Sequence, residues 1–375
     1  MIRTDDVVEL TRALVAIDAV NPALVDGGAG EREIAEAIGH WLGGRGFDVR
    51  LVGADPARPS VLARRRGAGG GRTLLLAGHL DTVGGSGDGG RRADAAPDGD
   101  RVVGRGAYDM AGGLAAAMVA AAGADVAGDV VLAFAADEEF GSAGMEELLA
   151  ELDAARPDGA VVLEPTDLDV TLAHRGFAWY RVEYEGSAAH GSQPELGVDA
   201  IDRALDGMVA LRGFGAELAA RPRHPLLGTG SARVATIEGG TDAATVADRC
   251  VLVVERRTLP GEPDPAAELA RVLAPSRPAR IVPLVARPAM EADPGASIAR
   301  VVLDAVERAT GAPAVRRGDP WWTDAGLIAE RGIPVVLVGP AGGGAHADEE
   351  WVAADSLRTL VAVLRTVIDG FCAPR

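Results

Sequence analysis

The chain has 375 residues, 48% hydrophobic and only 4% aromatic, so it exceeds one ordinary core and must pack mainly aliphatic side chains. Fifty-five acidic against 37 basic residues give a net charge of −18, which argues against nucleic acid and anionic membranes as partners. An anionic substrate would need a basic contact placed locally in its site.

The opening MIRTDDVVELTRALVAI carries Asp5 and Asp6 where a secretory leader needs a basic head, and residues 5–18 have helical periodicity. No uninterrupted apolar run reaches membrane-spanning length. Cys250 and Cys372 lack the spacing of a metal or redox pair, and a cytoplasmic setting is expected. A second helix is predicted from about Glu31 to Leu42, with His40 on its surface. VLARR (61–65) and TLLLAGH (73–79) read as strands, and the Gly- and Asp-rich stretch 84–100 as a loop with freedom to move. Helix 110–124, strand 129–137, helix 142–152 and strand 159–165 follow. Apolar strands alternating with helices imply an α/β fold, a mostly parallel sheet covered by helices on both faces.

The pattern changes near residue 176. FAWYRVEYEG alternates, a long amphipathic helix follows, and ARVATIEGG and RCVLVVERR alternate before the helical PDPAAELARVL. After about residue 286, helices 297–310 and 324–332 and strand IPVVLVG return to the first pattern. The economical organisation is one α/β domain, 1–175 plus 287–375, with a small α+β domain, 176–286, inserted in it.

Chemistry-bearing residues gather where apolar strands end. His79 and Asp81 close LLLAGHLDTV, two positions apart and directed alike, so the carboxylate can sit against one ring nitrogen and leave the other for a metal. A turn after Leu76, with His79 bonded to a backbone carbonyl, is the other reading. Asp109 precedes a helix, Glu138 and Glu139 follow a strand, Glu164 follows the next, and His346 sits in a Gly-rich loop after the last. Open α/β sheets collect such ends at one edge. So many carboxylates with two imidazoles cannot sit together unpaired, and a pair of divalent cations answers the charge problem. Imidazole and carboxylate without thiolate suit zinc, with cobalt or manganese as alternatives. Five ligands with one shared carboxylate leave one of the adjacent glutamates free to handle a proton.

The motifs GHLDTV (78–83), GRGAYDMAGG (104–113), DEEFGSAG (137–144), LEPT (163–166), AAHGSQPELGVDAI (188–201), RTLPG (257–261), TDAG (323–326), GIPVVLVGP and AHADEEWV run in order over nearly the whole chain. In these the chain resembles the M20 metallopeptidase family, with its acetylornithine deacetylases, succinyl-diaminopimelate desuccinylases, aminoacylases and glutamate carboxypeptidases. The resemblance implies a zinc-peptidase-like catalytic domain with a ferredoxin-like dimerisation domain inserted in it. It implies one metal on His79 and Glu164, a second on Glu139 and His346, and Asp109 bridging both. Asp81 would orient His79, and Glu138 would be the general base, passing the proton of an attacking water to the leaving amine. His190 of AAHGS would supply an oxyanion contact across a homodimer interface. Arg257 would hold the substrate carboxylate, a contact suited to a guanidinium, unless it pairs with surface acids instead. Thr323 and Gly339, within their motifs, are expected at the substrate with it.

Departures bear on specificity. Ala244 and Ala247 replace a usual Asn and Pro, Ala111 replaces a usual Lys, and 84–100 lacks the common aromatic–proline segment. Trp321 and Trp322 precede Thr323, where an indole facing the pocket would favour a larger or less polar group. A core role for both is the alternative. The implied substrate is a small carboxylate-bearing N-acyl amino acid. A dipeptidase or carboxypeptidase is the runner-up, a carbamoyl-amide hydrolase a third, and a noncatalytic dimeric scaffold the rival of another class.

Overall fold

The computed structural model describes residues 2–85, 96–98, 100–152 and 156–375, so most of the loop expected at 84–100 lies outside the described residues. The chain divides into two compact units: Met1–Leu172 with Ala292–Arg317 and Thr323–Arg375, and Ala173–Glu291 with Gly318–Trp322.

Helices α1 (Val7–Val15) and α2 (Arg32–Gly43) precede strands β1 (Asp48–Val52), β2 (Ser60–Arg65) and β3 (Leu74–His79). Short strands β4 (Ala96–Asp98) and β5 (Arg101–Val103) lead to α3 (Gly112–Ala122), β6 (Val130–Ala135), α4 (Ala143–Leu152), β7 (Gly159–Val162) and β8 (Val170–His174). Next come β9 (Gly176–Glu185), α5 (Ala200–Ala220), β10 (Ser231–Gly239), β11 (Arg249–Thr258), α6 (Pro265–Leu273) and β12 (Arg280–Arg287). Then follow β13 (Met290–Glu291), α7 (Ser297–Thr310), β14 (Arg316–Asp319), α8 (Ala325–Glu330) and β15 (Val335–Leu337). Strands β16 (Gly342–Gly343) and β17 (Trp351–Ala353) and helix α9 (Ala354–Phe371) complete the described elements.

The larger unit is an α/β layer structure. Its main sheet runs β1-β2-β6-β3-β7-β15-β8-β13, with β14 also paired to β8. Strands β6, β3, β7 and β15 are mutually parallel, and β3 (LLLAGH), β6 (VVLAFA) and β7 (GAVV) are buried throughout, as strands covered on both faces must be. The sheet as a whole is mixed, because β1, β2, β8 and β13 pair antiparallel. No helix separates β7 from β8, so that connection lacks the crossover a parallel strand requires. Helix α3 is buried on all sides and packs against α1 and α9. It starts at Gly112, since Asp109 and Met110 keep non-helical backbone angles. At Gly113 a Cβ would stand 2.3 Å from the Leu163 carbonyl oxygen, so only glycine lets this helix approach the chain beside Glu164. Asp6 caps α1, accepting from the amides of Val8 and Glu9 at 2.9 and 3.0 Å.

The smaller unit is built on the antiparallel sheet β10-β11-β9-β12 with helices α5 and α6, the β-α-β-β-α-β order of a ferredoxin-like sandwich. Tyr180, Tyr184, Leu252, Val254, Leu211 and Leu269 are among its core. Strand β12 adds an edge to the three strands expected, and its register shifts between Pro283 and Val285. No helix among the described residues is long and apolar enough to cross a membrane.

Candidate metal centre

The carboxyl ends of the parallel strands deliver the acidic and imidazole groups to one place. His79 is the last residue of β3, and Leu80 N donating to Ala135 O carries the sheet pairing one step further. Glu138 and Glu139 lie in the turn after β6, Glu164 two residues beyond β7, and His346 beyond β15, between the short strands β16 and β17. Asp109 precedes α3 from the side, before a cis peptide to Met110.

These side chains converge. His79 Nε2 lies 3.0 Å from Asp109 Oδ1 and 3.9 Å from Glu164 Oε1. His346 Nε2 lies 3.4 Å from Asp109 Oδ2 and 3.0 Å from Glu139 Oε2. Asp109 therefore turns one oxygen to each imidazole. Donor atoms of His79, Asp109 and Glu139 lie within 4.8 Å of one another, as do those of His79, Glu138 and Glu164. Glu138 shares the centre without a side-chain hydrogen bond among the described residues.

Charge tells the same story. Burial raises the Glu138 and Glu164 carboxyls well above the ordinary range, and neighbouring carboxylates push further, although His79 opposes them. Glu139 is raised by burial too, with His346 pulling the other way. For Asp109 burial is outweighed, and hydrogen bonds from His346 and His79 hold its carboxyl low. The His346 imidazole, bonded to Asp109 and Glu139, is pushed up to about 10. Two imidazoles do not offset this much buried acid. The donor set, hard oxygen and imidazole nitrogen without thiolate, fits a dinuclear divalent-cation centre.

Supporting residues complete the centre. His79 Nδ1 is 2.9 Å from the main-chain oxygen of Asp81, and the Asp81 carboxylate stands further off at 3.6 Å. A backbone carbonyl thus takes the ring proton and leaves Nε2 facing the acids. The Asp81 carboxylate is engaged elsewhere: it accepts from Asn21 Nδ2 at 2.8 Å and from the amides of Glu138 and Glu139, each at 3.1 Å. Arg58 donates to Asn21 and Glu31, and lies 3.0 Å from Asp137. Asp324, bonded to Ser142, adds a further charge that raises Glu138 and Glu164. Sequence reasoning missed Asn21, Glu31, Arg58 and Asp324; only TDAG carried a signal, and it pointed to Thr323.

The remaining expected residues are placed as follows. Thr323 is buried and accepts from Ala325 N at 3.2 Å. Gly339 lies against Glu164, where a Cβ would stand 1.9 Å from the Glu164 carbonyl oxygen, and its amide donates to Thr166 Oγ1. In the smaller unit, Trp322 takes the core alternative: it donates to Pro288 O and packs edge-on against Phe177. Trp321 is 41% exposed. Arg257 is bonded to Glu255 through Nε at 3.1 Å and Nη2 at 2.8 Å, while Arg256 is buried on the opposite side with Glu262 and Glu268. His190 is exposed, and its Nδ1 accepts from Ser192 N at 3.1 Å. An amide can only donate, so the neutral ring carries its proton on Nε2.

Comparison with known proteins bears on the fold and the family. An acetylornithine deacetylase of Myxococcus xanthus is 29% identical over 358 residues, covering 87% of both chains. One from Vibrio atlanticus (strain LGP32) is 29% identical over 263 residues, 68% of each. Among solved structures, the M20 family metallo-carboxypeptidase Sso-CP2 of Sulfolobus solfataricus superposes with a TM-score of 0.80 at 16% identity, covering 98% of this chain and 99% of that one. The aminopeptidase PepT of Bacillus cereus ATCC 10987 gives 0.78 at 20% identity, over 98% of both chains. The sequence model for peptidase family M20/M25/M40 matches residues 75–370, and the chain belongs to that family.

Proposed function

We propose that the protein is a dinuclear amidohydrolase that releases the acyl group from a small carboxylate-bearing N-acyl amino acid, as acetylornithine deacetylases and succinyl-diaminopimelate desuccinylases do. The observation that carries this reading is the Asp109 carboxylate, one oxygen toward His79 and the other toward His346, with Glu138 clustered with His79 and Glu164 and without a side-chain hydrogen bond among the described residues. His79, Glu164 and Asp109 would hold one cation, and His346, Glu139 and Asp109 the other, with zinc favoured by the donors. When bound, such ions supply Lewis-acid polarisation of the amide carbonyl and lower the pKa of water.

The chain's own groups do the rest. Glu138 takes a proton from the attacking water at a carboxylate oxygen and returns it to the leaving amine. Asp81 fixes the main chain of both turn glutamates, so that the base and its neighbour keep different directions. Arg257 would bind the substrate carboxylate by sharing the guanidinium that now meets Glu255. Ile201, Leu205 and Val209 on α5 and Ile237 on the edge strand β10 are exposed apolar residues of the smaller unit, which supports a homodimer formed there. The partner's His190 would then offer its Nε2–H to the oxyanion.

The test is hydrolysis by the metal-loaded chain of acetylated, formylated and succinylated amino acids beside the matching dipeptides. Cleavage of the acyl amino acids is expected. Preference for dipeptides would move the assignment to a peptidase, and inertness toward the whole panel would leave the scaffold reading.

A further inference from the structure

Glu350, four residues after His346, is 2% exposed and is not among the groups that face the two imidazoles. Both its oxygens are filled by donors. Oε1 accepts from the amides of Tyr108 at 3.0 Å and Asp109 at 2.9 Å. Oε2 accepts from the amide of Gly106 at 2.9 Å and from Arg105 Nη1 at 2.8 Å. A carboxylate so occupied has no lone pair left for a cation.

The backbone explains why a side chain is needed. Gly106 has φ 76°, and Asp109 and Met110 have φ/ψ of −117°/91° and −138°/33°, so no helical turn supplies acceptors to these amides. Glu350 supplies them and thereby sets the direction of the Asp109 side chain. The same contact fixes the other strand of the loop. Gly104 N donates to Glu350 O at 2.9 Å, and Arg105 Nη2 donates to Ala347 O at 2.7 Å. His346 itself is 54% exposed with φ 62°, and its neighbour Ala347 is one of these anchor points.

We propose that Glu350, with Arg105, is a positioning residue that holds Asp109 and His346 in one frame and so sets the affinity of the cation site they share with Glu139. This rests on the dinuclear reading above. No hydrogen bond or ion pair joins Glu350 to His79 or Glu164 among the described residues, so its loss acts on one half of the centre first.

The test titrates Co2+ into the metal-free 375-residue chain, followed by calorimetry and visible absorption, with the melting temperature of the metal-free protein measured alongside. For Glu350→Gln the second equivalent should bind about 10- to 100-fold more weakly, while the first changes by less than about threefold. The metal-free melting temperature falls, because the new amide nitrogen faces donors, and binding is compared at a temperature where the variant is folded. Arg105→Met, which cuts the links to Ala347 and Glu350 but leaves the amides bonded, should move the second equivalent in the same direction by a smaller factor. It carries the test if Glu350→Gln fails to fold. Unchanged second-equivalent affinity in the folded variants overturns the proposal, as does equal weakening of both equivalents. Wild type binding fewer than two equivalents would instead strike the dinuclear reading itself, before any variant is compared.

Discussion

Glu138 and Glu139 are neighbours in the chain that part company in space. Their amides share Asp81, yet the Glu139 carboxylate reaches His346 while that of Glu138 clusters with His79 and Glu164. Replacing Glu138 by Gln keeps the shape and removes the proposed base. Its kcat should fall about 100- to 10,000-fold while metal content by elemental analysis stays at the wild-type level. A second residue-scale prediction concerns His174. Burial pushes its imidazole down to about 4, and Nε2 has no hydrogen-bond partner among the described residues, so a proton there would be stranded. The unfolded chain takes that proton near the ordinary 6.5 and the folded one does not, so stability is intact above pH 6.5 and declines toward pH 4. The loss amounts to about 3 kcal/mol, and His174→Asn should flatten that part of a pH series of denaturant melts. The converging acidic and imidazole residues were legible where apolar strands end, as at His79, Glu138, Glu139 and Glu164, while Asp109 was marked by the helix it precedes. Asn21, Arg58 and Glu350 were not, since each owes its place to partners remote in sequence that only the fold brings near. Asp81 was expected to meet His79 through its carboxylate, whereas its main-chain oxygen makes that contact and the carboxylate holds the turn glutamates.

At the level of elements, buried runs such as LLLAGH and VVLAFA marked the parallel strands, because only strands covered on both faces can be so apolar. Such runs say nothing of direction, so the antiparallel flanks β1, β2, β8 and β13 were hidden. Strand β12 was masked by Pro283, which removes a ladder donor and is tolerated at this edge. One close packing of backbone on backbone is informative for the centre. Gly339→Ala would drive a methyl into the Glu164 carbonyl, and something must shift. The variant should lose about 1–3 kcal/mol in denaturant melts. It should also bind Co2+ more weakly in calorimetry, since Glu164 moves with its main chain.

For the molecule as a whole, the charge of −18 disfavours casual association, so an apolar exposed face needs a reason. Leu205 is 51% and Val209 58% exposed, one turn apart on α5. The double substitution Leu205→Glu and Val209→Glu should shift the protein to a monomer in sedimentation analysis, with folded circular dichroism retained. If the partner's His190 serves the reaction, kcat should fall with it. The two-unit organisation was readable from the change of pattern near residue 176, whereas the proposed pairing of two copies has no signature in one chain's periodicity.

The order of the chain has one more effect. Strand β15 pairs with β7, and the entire smaller unit is threaded between them. A nascent polypeptide that has already emitted His79, Asp109, Glu139 and Glu164 must therefore wait for a complete ferredoxin-like module before His346 leaves the ribosome. That module has its own core to collapse on, whereas the larger sheet has to keep an unfilled slot between β7 and β8 until the late strand arrives. Completion of the proposed cation site that needs His346 is thereby deferred to the closing stage of maturation.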